Sequence, residues 1–269
     1  MNFKGFFDLG LNPPSEEDFW STLCAYNIRT VAINQYFEAT MPDESKKRKN
    51  EKKEFIIPAP VTCTVPEKFR DKITVVKRLT VNLSDGSLLY KIVHSSNFKL
   101  YDIIAVVPAT HTTLQTCCAS NDIDLICFDP LNKPQWTISR KLYNIALQKN
   151  IFFEIQYSHV ISDNTARRNT IQVAHSYYTL GKLKNIIITS GADKSMLLRS
   201  PYDVINFCFL FGFNENEAKK AITSNPKELL NRAAFRRNMK SALNIQIMSE
   251  NLETSSSKEC KSSAMETED

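Results

Sequence analysis

Residues 185–204 read NIIITSGADKSMLLRSPYDV: an apolar run (Ile186, Ile187, Ile188), a turn of small residues (Ser190-Gly191-Ala192), and a loop carrying Lys194 and Arg199 that closes on Ser200-Pro201-Tyr202-Asp203. A short β-branched run bounded by turn residues spells a buried strand, and a proline directly behind a serine spells the first turn of a helix. Strand, basic loop and helix start, in that order, make one step of an α/β protein. Such a step puts cations and helix N-termini at the carboxyl end of a strand, where these folds collect anions.

The same step recurs along the chain. Strands are expected at Phe6–Leu11, Thr30–Phe37, Ile73–Leu83, Asp102–Val107, Asp124–Phe128, Ile151–Tyr157 and Asn185–Thr189. Helices are expected at Glu16–Tyr26, Leu88–Ser95, Thr112–Ala119, Ser139–Lys149, Asn164–Gly181, Pro201–Phe211, Glu215–Thr223 and Pro226–Arg236. This alternation predicts parallel strands covered by helices. The fold class is therefore α/β, a (β/α) TIM-like barrel with about seven parallel strands, one short of the ideal eight; a doubly wound open sheet is the competitor.

One barrel domain is expected over residues 1–240, and two stretches stand apart from its rhythm. Residues 40–60 carry Lys46-Lys47-Arg48-Lys49 and Lys52-Lys53 among acids and prolines. They read as an exposed basic insertion: a solvated loop, a nuclear localisation signal or a nucleic-acid contact. Residues 241–269 end in a Ser-, Lys- and Glu-rich stretch with little apolar to bury, and read as a disordered tail.

Composition narrows the chemistry. With 42% hydrophobic and 23% charged residues in 269, a sizeable core is expected, and the net charge of +5 favours polyanionic partners. The seven cysteines (24, 63, 117, 118, 127, 208 and 260) form no C-x-x-C and match no zinc spacing, so free, mostly buried thiols in a reducing compartment are expected. No window approaches the roughly 18 apolar residues of a membrane span and no leader pattern opens the chain, so a soluble intracellular protein is expected. G-x-S-x-G, P-loop and G-x-G-x-x-G signatures are all missing. Asp8, His111 and His159 follow strands as candidate metal ligands, but four histidines in total are few for a hydrolytic multi-metal centre. No catalytic residue, metal or cofactor is expected.

Cations do gather at helix starts. Ser139 precedes Arg140 and Lys141, and Ser162 or Asp163 precedes Arg167 and Arg168. Positive charge in a first turn opposes the helix dipole at a cost of about 0.3–1 kcal/mol each, and a bound phosphate would reverse that sign. Together with Lys194 and Arg199 these residues predict a phosphate-binding rim. Arg78 sits within the strand Val75-Val76-Lys77-Arg78-Leu79-Thr80-Val81, facing either the barrel mouth or an outer edge, where a charge is costly unless paired.

The chain resembles the thirty-kilodalton protein subunit family of ribonuclease P, shared in eukaryotes with ribonuclease MRP. The resemblance is carried by Phe7-Asp8-Leu9, Val31-Ala32-Ile33-Asn34, Arg78-Leu79-Thr80, Tyr101 to Val106, Asp122 to Ile126, Asn144-Ile145-Ala146, Phe153 to Ser158, Asp163 to Arg168 and Arg199 to Val204. It covers about residues 3 to 236 without the insertion. It implies a distorted TIM-like barrel related to the polymerase-and-histidinol-phosphatase (PHP) metal hydrolases. In those hydrolases the first strand ends in Asp-Leu-His-x-His; here Asp8-Leu9-Gly10-Leu11-Asn12 lacks both imidazoles.

The resemblance further implies a non-catalytic subunit that supports 5′-leader removal from precursor tRNA by scaffolding the catalytic RNA and other protein subunits. A nuclear, nucleolar location follows from it. Of the expected RNA contacts, Arg78, Arg167, Arg168 and Arg199 lie within matching stretches; Arg140, Lys141 and Lys194 rest on electrostatics alone. A metal-dependent PHP-type phosphoesterase using Asp8, His111 and His159 is the alternative.

Overall fold

Seven strands, β1 (Phe6–Leu11), β2 (Ile28–Ala39), β3 (Thr74–Leu83), β4 (Ile103–Pro108), β5 (Leu125–Ile126), β6 (Phe152–Gln156) and β7 (Ile186–Thr189), pair in sequence order and all in parallel. The computed structural model describes residues 5–13, 18–39, 57–61 and 63–238. Helices α1 (Asp18–Ala25), α2 (Glu67–Arg70), α3 (Ser87–Val93), α4 (His111–Ala119), α5 (Arg140–Gln148), α6 (Ser158–Ser162) and α7 (Asn164–Gly181) fill the crossovers. The described residues close with α8 (Pro201–Cys208), α9 (Glu215–Ile222) and α10 (Ser224–Asn238).

Strict neighbour order with parallel strands curls the sheet back on itself, giving a nearly closed barrel. At the seam, Ser190 N–H donates to Asp8 Oδ1 at 3.0 Å and Asn12 N–H to the Ala192 carbonyl at 3.0 Å, where an eighth strand would otherwise pair. Val204 of α8 and Ile222 of α9 pack beside this seam and shield it from solvent.

Side chains alternate between two cores. Leu79, Val81, Ile104, Val106, Phe153 and Ile188 point outward beneath the helices. Leu9, Ala32, Val76, Ile103, Leu125, Phe152 and Ile187 point inward, near the amino ends of their strands, and meet Leu229, Leu230 and Ala233 of α10. Thus α10 plugs the bottom of the barrel, leaving the carboxyl ends of the strands as the open mouth. Aliphatic burial of this kind contributes about 1.5–3 kcal/mol per large side chain.

The expected elements are present with shifted ends. The fifth strand shrinks to two laddered residues flanked by single cross-strand bonds: Asp124 N–H donates to the Ile104 carbonyl (3.0 Å) while its carboxylate accepts the Ile104 N–H (2.9 Å), and Cys127 N–H donates to the Val106 carbonyl (2.9 Å). The helices α2 and α6, of four and five residues, were not expected, since so short a segment shows no 3.6-residue period. In the insertion, Lys46–Lys53 lie outside the described residues, as does the tail from residue 239. The part of residues 40–60 that is described departs from the expected exposure: Ile57 is fully buried, its N–H bonded to Ser95 Oγ and its carbonyl to Asn97 Nδ2. No helix among the described residues is long and apolar enough to cross a membrane.

Candidate nucleic-acid interface at the barrel mouth

One layer above the plug, the barrel interior turns polar. Arg78 has no exposed surface, and its guanidinium forks onto Glu154, with Nη1 to Oε1 at 2.5 Å and Nη2 to Oε2 at 2.6 Å. Nη1 also donates to the Leu9 carbonyl, Nη2 to Cys127 Sγ and Nε to Thr80 Oγ1. Thr80 in turn donates to Asn34 Oδ1, while Thr189 and Gln156 donate to Glu154. Burial alone would raise the Glu154 carboxyl, but the adjacent guanidinium overcomes it and holds the group below the ordinary carboxylate range. The expectation that Arg78 meets RNA is corrected by this geometry: its alternation with Val76 and Thr80 turns it into the barrel, where all its donors are already taken.

The candidate metal ligands do not converge. Asp8 is buried at the seam and accepts from Ser190 N–H (3.0 Å) and Gly10 N–H (3.3 Å); burial raises its pKa to about 6, against the lowering by those donors. His111 is exposed at the start of α4 beside Gln115, and His159 lies at the barrel mouth. Among the described residues no group of three or more His, Cys, Asp or Glu is placed to hold a metal ion. Gly10 stands where the PHP pattern has its first imidazole, and even a Cβ there would sit 2.7 Å from Thr189 Oγ1 and 2.9 Å from Glu154 Oε1. An imidazole has no room at that position.

The other expected cations share one end of the molecule by topology. Arg140 and Lys141 begin α5 after β5, Arg167 and Arg168 lie in the first turns of α7 after β6, and Lys194 and Arg199 lie between β7 and α8. Each follows the carboxyl end of a strand, and all are exposed except the half-buried Arg199. Ser139, Asp163 and Ser200 cap the three helices through the N–H groups of Leu142, Ala166 and Asp203. Arg167 nevertheless has a local partner: its guanidinium docks on the carbonyls of Val160 (2.9 Å) and Ile161 (3.3 Å). A cation unfavourable at the start of α7 is thereby favourable at the end of α6. Arg199 likewise reaches the carbonyls of Met196 and Leu198, and its N–H donates to the Tyr157 hydroxyl.

A family model described as RNase P subunit p30 matches residues 5–238. The chain belongs to that p30 family. The mouse ribonuclease P protein subunit p30 is 33% identical to it over 225 residues, 82% of each chain. The Dictyostelium discoideum ribonuclease P protein subunit drpp30 is 36% identical over 137 residues, 51% of this chain and 37% of that one. A chain in the cryo-EM structure of archaeal ribonuclease P with mature tRNA superposes with a TM-score of 0.67 at 16% identity, over 90% of this chain and 99% of that one, which shows a common fold.

Three features of this p30-family chain escaped the sequence reading. Glu154 is the first, although a carboxylate at an inward position of Phe153-Glu154-Ile155-Gln156 called for a buried partner. The second is a cluster under the plug: Arg232 and Arg236 of α10 pair with Asp124, and Arg237 pairs with Asp102, all at the amino ends of strands. Nothing in the helical pattern of α10 signalled those partners, which are more than a hundred positions away. The third is how the aromatics from Phe207 to Phe213 divide: Phe211 and Phe213 are buried, while Phe209 and Leu210 are exposed, as is Tyr178 of α7, whose ring lies against Gly212.

Proposed function

We propose that this chain is a protein subunit of ribonuclease P that supports 5′-leader removal from precursor tRNA by holding RNA and neighbouring proteins, without bond-breaking groups of its own. One observation carries the reading: three consecutive strand-to-helix connections bring Arg140, Lys141, Arg168 and Lys194, with Arg167 and Arg199, to a single end of the barrel. A phosphate backbone is the partner such a rim suits, because each guanidinium or ammonium that meets a phosphate releases counterions. The scattered Asp8, His111 and His159 and the crowded Gly10 support a scaffold over a phosphoesterase.

The partners that follow are the catalytic RNA of ribonuclease P and, by the family resemblance, of ribonuclease MRP, with precursor tRNA engaged indirectly. Other protein subunits of the particle are suited to the exposed Phe209, Leu210 and Tyr178. A nuclear, and within it nucleolar, location is part of the same reading, supported by the eukaryotic ribonuclease P relatives. Reconstitution of the particle with and without this chain tests the reading by precursor cleavage. Cleavage should fall without the chain and fall in part with Arg140→Ala, Arg168→Ala and Lys194→Ala combined; undiminished cleavage without the chain would refute the role.

A further inference from the structure

The open end of the barrel contains a cavity of about 360 Å³. It lies above the buried fork, since Thr80, Cys127 and Gln156 both line it and touch Arg78 or Glu154. Its volume falls within the roughly 300–1,000 Å³ of small-molecule sites. The lining is unlike the rim around it. Among the described residues no lysine or arginine lines it; the walls are the amides of Asn12, Asn82 and Gln156, the carboxylates of Glu38 and Asp129, the imidazole of His159, and the aromatic side chains of Tyr36 and Phe128 among others. The one guanidinium beneath is neutralised by Glu154.

Such walls repel a phosphate and favour a flat, uncharged group rich in hydrogen-bond donors. Amides read both donors and acceptors, aromatic side chains supply a stacking face, and a carboxylate accepts only. Asp129 already accepts from the Leu131 N–H and Asn132 Nδ2, whereas the Glu38 carboxylate forms no ion pair or hydrogen bond with any described residue. Within the same interior, Asn34 Nδ2 is buried without a hydrogen-bond partner, beside the Thr80 that lines the cavity. We propose that the barrel mouth receives a single unstacked nucleobase bearing an exocyclic amine, while the phosphates on either side of it lie on the cationic rim. This inference rests on the RNA-binding reading above and adds to it the part of the nucleotide that enters the protein.

The test is equilibrium binding of the full chain, by fluorescence anisotropy at one salt concentration, to three single strands of equal length and charge: oligoadenylate, oligouridylate and an abasic ribose-phosphate strand. Oligoadenylate should bind about tenfold more tightly than the abasic strand, in line with one well-held base, and oligouridylate less tightly than oligoadenylate. Asn82→Trp, at an exposed position on the lip, should fill the mouth and reduce oligoadenylate to the abasic level without changing abasic binding. Equal affinity for all three strands leaves the rim standing and overturns the pocket, as does an adenylate advantage that survives Asn82→Trp. Failure of every strand to bind overturns the RNA-binding reading itself. Should Asn82→Trp not fold, Glu38→Gln decides: it should erase the preference for adenylate over uridylate, and an unchanged preference refutes the proposal.

Discussion

At the scale of the residue, Arg78 survives without solvent because its five N–H donors are all placed: one on Thr80, two shared between Leu9 and Glu154, and two shared between Cys127 and Glu154. Removing one partner strands a buried charge, so Arg78→Met or Glu154→Gln should destabilise by about 3–5 kcal/mol, read as a lower urea midpoint. Arg78→Met combined with Glu154→Leu should recover most of that loss. Asp8 makes the opposite kind of prediction. Its pKa, raised from 3.8 to about 6 by burial, means that the folded chain keeps a proton which the unfolded chain releases in that interval. Its stabilising effect is complete below about pH 4 and is lost as pH rises through about 6. Above that, ionised Asp8 costs up to about 3 kcal/mol. Asp8→Asn keeps an oxygen for the Ser190 and Gly10 N–H groups, so its unfolding free energy should gain on the native chain between pH 4 and 6 and then run parallel; a constant difference would show ordinary titration. The sequence made it plain that a charge at Arg78 required a partner. It could not supply Glu154, which lies 76 positions on and meets Arg78 only when β3 and β6, separated by β4 and β5, face each other inside the barrel.

At the scale of the element, what sequence reveals depends on range. Apolar runs located all seven strands and the 18-residue α7 to its exact bounds, because burial on both faces and helical periodicity are local signals. The register of α10 against the barrel is not local. Its apolar face was legible, but that it closes the amino end, and that its arginines reach back to Asp102 and Asp124, depends on contacts between distant segments. Those contacts predict that α10 is fastened electrostatically as well as by packing. Asp124 has no exposed side-chain surface and serves both Arg232 and Arg236 while accepting from the Ile104 N–H. Asp124→Ala should therefore cost about 3–5 kcal/mol, well above a surface pair, and lower the melting temperature accordingly. Arg168→Ala, on an exposed turn of α7, should leave the melting temperature nearly unchanged, whereas Arg167→Ala should lower it modestly by uncapping α6.

At the scale of the whole molecule, the two ends of the barrel carry their positive charge differently. At the bottom the arginines of α10 are consumed by Asp102 and Asp124; at the mouth Arg140, Lys141, Arg168 and Lys194 form no ion pair with any described residue. A net charge of +5 spread evenly would attract RNA from every side, whereas a rim at one end fixes an orientation. Counterion release separates the two cases. For single-stranded RNA each phosphate contact contributes about 0.7 to the slope of log affinity against log salt. Reversing one charge in each of the three rim connections, Arg140→Glu, Arg168→Glu and Lys194→Glu, should reduce the slope's magnitude by about 2, taking one contact per residue. The same reversal at Lys72, Lys184 and Lys227, exposed cations before β3, before β7 and on α10, changes net charge equally and should leave the slope nearly intact. Matching slopes for the two triple variants would mean that the protein attracts RNA by its total charge, and that the arrangement of cations around the mouth selects no face.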